Sequence, residues 1–188
     1  MKKKLYTLSM ALLAMLLIFV GSVSTVSADN FECRGKVGPI TVDNLVVPDR
    51  ATCTLTGTKV EGNIIVLTGG RLNTDRVSVD GNIQAEGHAA VKVTNSTVGG
   101  SVQIKQGRDA QVIATRINGD LQLEQNTGKF RLNRNTIGGN LQANQNSGSG
   151  LEISRNVIDS ALQCQANSPA PTGGRNQASS KEDQCANL

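Results

Sequence analysis

Hydrophobic and polar residues alternate in short runs that recur every 19 to 21 residues along most of the chain. The clearest copies read VDGNIQA, VGGSVQI and INGDLQL, with Gly81, Gly100 and Gly119 spaced 19 residues apart. Further copies lie around Asp43, Gly62, Gly139 and Ser160, so that seven copies follow one another at spacings of 19, 19, 19, 19, 20 and 21 residues. A period of this size is typical of a solenoid, in which each repeat forms one coil that stacks only on its neighbours.

The apolar positions of each repeat fall into columns that should point into one narrow core. Two columns begin at Cys53 and Leu55, one begins at Val60, and two begin at Ile64 and Val66. Alternation within such short runs predicts strands, and the intervening Gly, Asn and Ser predict turns. Periods of 19, 20 and 21 do not fit strict six-residue steps, and no repeat carries both a leucine-rich motif and a helix. We therefore predict an all-β, right-handed parallel β-helix (β-solenoid) of about seven coils, with 19–21 residues per coil.

The first residues carry the pattern of a secretory signal peptide. Three lysines at positions 2 to 4 precede the apolar run 12–20, and Val26-Ser27-Ala28 offers a small-residue cleavage pattern. A single transmembrane anchor is the alternative, but the run is short for about 30 Å of hydrocarbon. The expected mature chain has no stable membrane span and begins at Asp29. Localisation is then secreted, either extracellular or in the cell envelope.

Removal of the signal peptide lowers the net charge of the chain. The signal peptide contains three of the 19 basic residues and none of the 15 acidic ones, so the mature chain has a net charge of +1. A net charge this small gives no electrostatic reason to expect nucleic-acid binding. We divide the chain into a signal peptide (1–28), an N-terminal capping coil (29–52), β-helix repeats (53–164) and a C-terminal cap (165–188).

Four cysteines lie in the exported part, where disulfides persist. Cys33 and Cys53 are 20 residues apart, and Cys164 and Cys185 are 21 apart, each close to one coil. Three pairings are possible, but Cys53 and Cys164 should lie about 27 Å apart in a stack of coils spaced about 4.8 Å. A disulfide needs Cα atoms within about 7 Å. We therefore predict the pairs Cys33–Cys53 and Cys164–Cys185 and no metal site, because His88 is the only histidine.

The repeats and their ending resemble a known group of proteins. The GNI, GDL and GGNLQ phrases are followed by an ending of the form LQC-x-x-N-x-PAPTGG-x-N…QC, and the resemblance spans Val60 to Cys185. This pattern is similar to small secreted bacterial β-solenoid proteins without assigned function. It is more distantly similar to the bactofilin core, a right-handed β-helix that polymerises in the cytoplasm, although the signal peptide and cysteines depart from bactofilins.

Two polar columns are the candidate binding positions. The glutamine column contains Gln84, Gln103, Gln122, Gln142 and Gln163, and the neighbouring column contains Asn82 and Asn140. Stacked amides at the strand spacing can hydrogen-bond along the axis, as Asn and Gln ladders do in cross-β assemblies. The columns are therefore either a structural ladder or a flat polar face presented to a polymer.

Catalysis by stacked carboxylates is the competing interpretation. Glu61 and Asp80 should be about 5 Å apart on neighbouring coils, as in β-helix polysaccharide lyases and hydrolases, which use such acids for calcium or acid–base chemistry. Coils this short leave no room for long loops around a cleft, and the mature chain has no Trp or Tyr to stack on sugar rings.

We therefore expect a non-catalytic structural, adhesive or matrix component without a cofactor, which is a monomer or associates laterally. A cell-surface or matrix polymer is the expected partner. The alternative is a carbohydrate-binding or carbohydrate-active protein that uses the Asn, Gln and acidic face.

Overall fold

Three parallel β-sheets wrap around one core in the computed structural model, which describes residues 30–188. Each of the first seven coils contributes a strand to sheet I, then to sheet II, then to sheet III, whereas the two strands of the eighth coil, in sheets I and II, are followed directly by a last strand in sheet I. In chain order, coil by coil, the strands are β1 (Asn30–Glu32), β2 (Gly35–Val37), β3 (Thr41–Val42); β4 (Asn44–Val47), β5 (Thr52–Thr56), β6 (Lys59–Val60); β7 (Ile64–Val66), β8 (Arg71–Asp75), β9 (Ser78–Val79); β10 (Ile83–Glu86), β11 (Ala90–Thr94), β12 (Thr97–Val98); β13 (Val102–Lys105), β14 (Asp109–Ile113), β15 (Arg116–Ile117); β16 (Leu121–Glu124), β17 (Thr127–Asn133), β18 (Thr136–Ile137); β19 (Leu141–Asn144), β20 (Ser147–Ser154), β21 (Val157–Ile158); β22 (Ala161–Gln165), β23 (Thr172–Gly174); and β24 (Ser180–Asp183). The predicted parallel β-solenoid is confirmed.

The solenoid has about eight turns, one more than the sequence predicts. Segment 30–52 carries β1 to β3 and the start of the next coil, and 165–188 carries β23 and β24. These strands pair in parallel with the neighbouring coil, as in Phe31 with Leu45 and Gln163 with Glu182. Proline- and glycine-rich stretches hide the periodicity at both ends, while main-chain pairing continues through them. The predicted signal peptide lies outside the described residues.

The apolar columns meet inside the stack, as their spacing predicts. Leu121 pairs with Val102 on one side and Leu141 on the other, and all three side chains are fully buried. The column that begins at Val60 is likewise buried from coil to coil. A parallel sheet buried in this way stabilises the fold mainly through apolar area removed from water.

Repeat length varies without disturbing these columns, because the extra residues collect at one corner. Strands β17 and β20 have seven and eight residues, against five for the sheet II strand β14 before them. Their register shifts between Gly128 and Lys129, which pair with Gly148 and Gly150. The bulge absorbs the additional residue before the strand reaches the core.

Both predicted disulfides are confirmed. Cys33 pairs with Cys53 and Cys164 with Cys185, with Cα atoms 5.4 and 5.3 Å apart. Each bond joins a terminal coil to the coil beside it. A loop of about 20 residues closed in this way contributes about 3 kcal/mol by restricting the unfolded chain.

Leu121→Ala should cost about 2–5 kcal/mol of unfolding free energy, because it leaves a cavity in the middle of the stack. Gln122→Ala changes the next side chain, which points outward, and should cost less than about 1 kcal/mol. Urea unfolding of both variants under non-reducing conditions checks the assignment. Similar losses in the two variants would contradict the inward and outward assignment.

Within residues 30–188, no helix is long and apolar enough to cross a membrane.

Candidate functional site

The predicted glutamine column forms a continuous hydrogen-bonded ladder on the outer face of sheet I. Each Nε2 donates to the Oε1 of the glutamine on the next coil, from Gln84 to Gln163. The four donor–acceptor distances are 3.3, 3.2, 3.1 and 2.9 Å. The last glutamine donates to Glu182 Oε2 at 2.9 Å. Each amide keeps one further N–H, so the ladder is a structural column that still presents a row of donors.

The neighbouring column holds Asn82 and Asn140, and their side-chain oxygens bond the main chain of the next coil. Asn82 Oδ1 accepts from the Ser101 N–H at 2.8 Å, and Asn140 Oδ1 accepts from the Ala161 N–H at 3.1 Å. A Cβ at Gly100 would collide with Asn82 Oδ1, so the glycine of the repeated phrase makes room for this bond. These oxygens hold one coil to the next.

The candidate acidic pair is bridged by a lysine. Lys59 Nζ lies 2.8 Å from Glu61 Oε1 and 3.5 Å from Asp80 Oδ2, and all three side chains are about half exposed. The hydrogen bond that Lys59 donates to Glu61 and the charge of Asp80 raise the pKa of the lysine above its usual value. The lysine therefore stays protonated between the two carboxylates.

Two buried asparagine ladders, which the reasoning about outer columns missed, line the corners of the solenoid. One contains Asn126, Asn146 and Asn167, and the other contains Asn135, Asn156 and Asn176. In each, Oδ1 accepts the main-chain and side-chain N–H of the preceding asparagine, and Nδ2 donates to a main-chain carbonyl. Their spacing of 20 and 21 residues is a signal that the sequence does contain.

His88 occupies the start of the first buried ladder, two coils before Asn126. The residue is 1% exposed, and within residues 30–188 neither ring nitrogen has a hydrogen-bond partner. The ring lies over Gly107, where a Cβ would collide with Nδ1. Burial lowers the pKa of His88 from 6.5 to about 4, while the charge of Asp109 acts in the opposite direction. The imidazole is therefore neutral at physiological pH.

An unpaired arginine column runs along the corner between sheets II and III. Arg134, Arg155 and Arg175 take the same place on three successive coils, with φ of 58, 56 and 60°. They are exposed, and no described carboxylate lies within salt-bridge distance of their guanidinium groups. We call these three residues the arginine ledge. The sequence by itself singles out none of the three, because only the coil register places them in line.

A polar depression of about 370 Å³ lies beside the ledge. It is lined by Asn133, Glu152, Ser154, Arg155, Gly173, Gly174 and Arg175. Asn133 Oδ1 is buried and has no hydrogen-bond partner among the described residues, and Asn133 Nδ2 donates to Ser154 Oγ at 3.2 Å. Arg131 Nε donates to Glu152 Oε2 at 3.0 Å. The depression forms where the outer column through Asn133 and Ser154 ends at Gly174, which has no side chain.

The chain matches no family model, no curated protein and no solved structure. Among residues 30–188 no group of three or more His, Cys, Asp or Glu side chains is placed to hold a metal ion.

Proposed function

We propose that the protein is a secreted, non-catalytic β-solenoid that serves as a structural, adhesive or matrix component at the cell surface. The observation that carries the proposal is the axial pairing of its outer polar columns. The ladder from Gln84 to Glu182 links the coils along sheet I, and the Asn82 and Asn140 bonds run parallel to it. Side chains paired in this way make a long, rigid, regular surface, which suits a scaffold.

The acidic pair supports the non-catalytic part of the proposal. A glycosidase acid needs a carboxyl group whose pKa is raised in a protected environment. Glu61 and Asp80 instead sit in exposed ion pairs with one lysine. Exposed ion pairs of this kind do not provide that protected environment.

The two disulfides indicate an oxidising environment. We propose that the signal peptide directs secretion. We also propose that the protein is related to small secreted bacterial β-solenoids and, more distantly, to bactofilins. The disulfides at both ends support the secreted relation over the cytoplasmic one.

The second candidate is carbohydrate binding through the face of sheet I. The observation that favours it is the free N–H that each ladder glutamine keeps, because a row of such donors about 4.8 Å apart can bond the hydroxyls of a polysaccharide lying along the axis. Weakened glycan binding in a Gln103→Ala/Gln122→Ala variant would favour this candidate.

Fractionation of the producing cells tests the main proposal. Antibody detection should place the mature protein, with both disulfides formed, on the envelope or in the surrounding matrix. Protein found only in the cytoplasm, or only free in the medium, would contradict a surface scaffold.

Incubation with pectin, alginate or a β-glucan should produce no new reducing ends and no unsaturated products, because Glu61 and Asp80 are about half exposed and both are ion-paired with Lys59. Reducing-end and absorbance assays measure this directly. Turnover that is abolished by Glu61→Gln or Asp80→Asn, but retained in Glu86→Gln, would replace the scaffold with a polysaccharide-cleaving enzyme.

A further inference from the structure

We propose that the arginine ledge binds the carboxylates of a linear acidic polysaccharide. The inference rests on the proposed function, because it names the partner that an adhesive surface component would hold. It assigns the contact to a corner of the solenoid and not to the glutamine face.

The backbone of the ledge gives the first reason. Arg134, Arg155 and Arg175 adopt the left-handed conformation, which Gly and Asn favour and other residues rarely take. The corner between sheets I and II has the same conformation at Gln106, Gln125 and Gln145, whose side chains bond one another at 3.0 Å. The glutamines thus have an internal partner, whereas the arginines point three like charges at solvent.

Charge and spacing give the second reason. Coils stack about 4.8 Å apart, so neighbouring guanidinium groups repel one another until an anion lies between them. Earlier on the same corner Arg76 is neutralised by Asp75 at 3.1 Å, so the unpaired charge is confined to the C-terminal coils. A guanidinium group forms two parallel hydrogen bonds with a carboxylate. A linear polymer with acidic groups along its length would therefore contact more than one arginine.

The depression gives the third reason. Glu152 and Ser154 offer side-chain acceptors beside Arg155 in the lining of the depression. Acceptors next to guanidinium groups match a sugar, which carries hydroxyl donors beside its carboxylate.

Nucleic acid fits this surface less well. Stacking on unpaired bases needs exposed aromatic rings. The nearest aromatic side chain in sequence, Phe130, is only 2% exposed.

The test compares two double variants of the oxidised, secreted protein for binding to immobilised polygalacturonate. Arg155→Gln/Arg175→Gln removes two charges from the ledge, and Arg50→Gln/Arg108→Gln removes two exposed charges elsewhere. Gln106 shows that glutamine occupies a left-handed corner position in this fold, and thermal melts check that both variants fold. The ledge variant should bind about tenfold more weakly or worse. The control should stay within about twofold of wild type, and wild-type binding should weaken with salt.

Equal losses in the two variants would overturn the proposal, as would absent binding, equal binding to neutral dextran, or tighter binding to double-stranded DNA or dextran sulfate. Cell fractionation shows whether the ledge hypothesis or the scaffold hypothesis is the one that fails. A ledge variant that stays on the envelope as well as wild type would overturn the ledge as the adhesive contact and leave the scaffold standing. Wild-type protein that binds polygalacturonate but is absent from the envelope would overturn the scaffold alone.

Discussion

Replacing Asn146 with alanine is expected to lower the unfolding free energy by about 3–5 kcal/mol, since each buried group left without a partner costs about 1–3 kcal/mol. Asn146 Oδ1 accepts the main-chain N–H of Asn126 at 3.1 Å and the Nδ2–H of the same residue at 3.0 Å. Asn146 Nδ2 donates to Leu123 O and to Asn167 Oδ1, both at 3.0 Å. All of these bonds are buried, so water cannot replace the lost partners.

The adjacent residue provides a matched control. Gln145→Ala removes an exposed amide from a left-handed position, and the same column already holds alanine at position 166, with φ of 53°. It should change the unfolding free energy by about 0.5 kcal/mol. Urea unfolding at neutral pH with the disulfides intact measures both variants. If Asn146→Ala proves as mild as its neighbour, the buried ladder does not hold these coils together.

Acidification is expected to destabilise the fold by about 3 kcal/mol through His88 alone, because its pKa falls from 6.5 in the unfolded chain to about 4 in the folded one. The folded state binds fewer protons than the unfolded state between these values. The His88 contribution is therefore complete above pH 6.5, is lost as the pH falls towards 4, and changes no further below that. Urea unfolding free energies at pH 7 and near pH 4 give the change.

A double variant separates His88 from the carboxylates that titrate in the same range. His88→Asn/Gly107→Asn removes the imidazole and introduces a side-chain amide at position 107 that can reach Ala85 O, as Asn126 Nδ2 reaches Ile104 O at 2.8 Å. The double variant should lose about 3 kcal/mol less than wild type over this pH range. Gly107→Asn alone should be strongly destabilising, because its Cβ meets the His88 ring. An unchanged pH dependence in the double variant would refute the assignment to His88.

Much of the fold is predictable because every coil repeats the same local rule. The column that begins at Val60 follows directly from the spacing, and the structure places it in the core. The terminal coils were harder to predict, since their strands depend on main-chain pairing to a neighbour and not on apolar alternation. Thr172–Gly174 forms a sheet II strand although it offers no apolar side chain.

The candidate site was less predictable. The glutamine column could be found by its period, but the period alone does not tell a ladder from a free binding face. That distinction depends on rotamers, and in the fold Nε2 of one coil bonds Oε1 of the next. The arginine ledge could not be predicted from the repeat spacing. The inserted residues change the distance between its members from 19 residues to 21 and 20, so Arg134, Arg155 and Arg175 look unrelated along the chain.

The solenoid class, the apolar columns and the two disulfides were all predictable from the sequence, since they follow from spacing within one coil or between adjacent coils. Three-dimensional packing was needed to establish which polar columns are buried, how Lys59 bridges Glu61 and Asp80, and that His88 fills the space above Gly107. These features arise between coils, where side-chain direction at a corner depends on backbone conformation and on the neighbouring residue. A repeat period specifies neighbours, but the direction and partner of each side chain are set by packing.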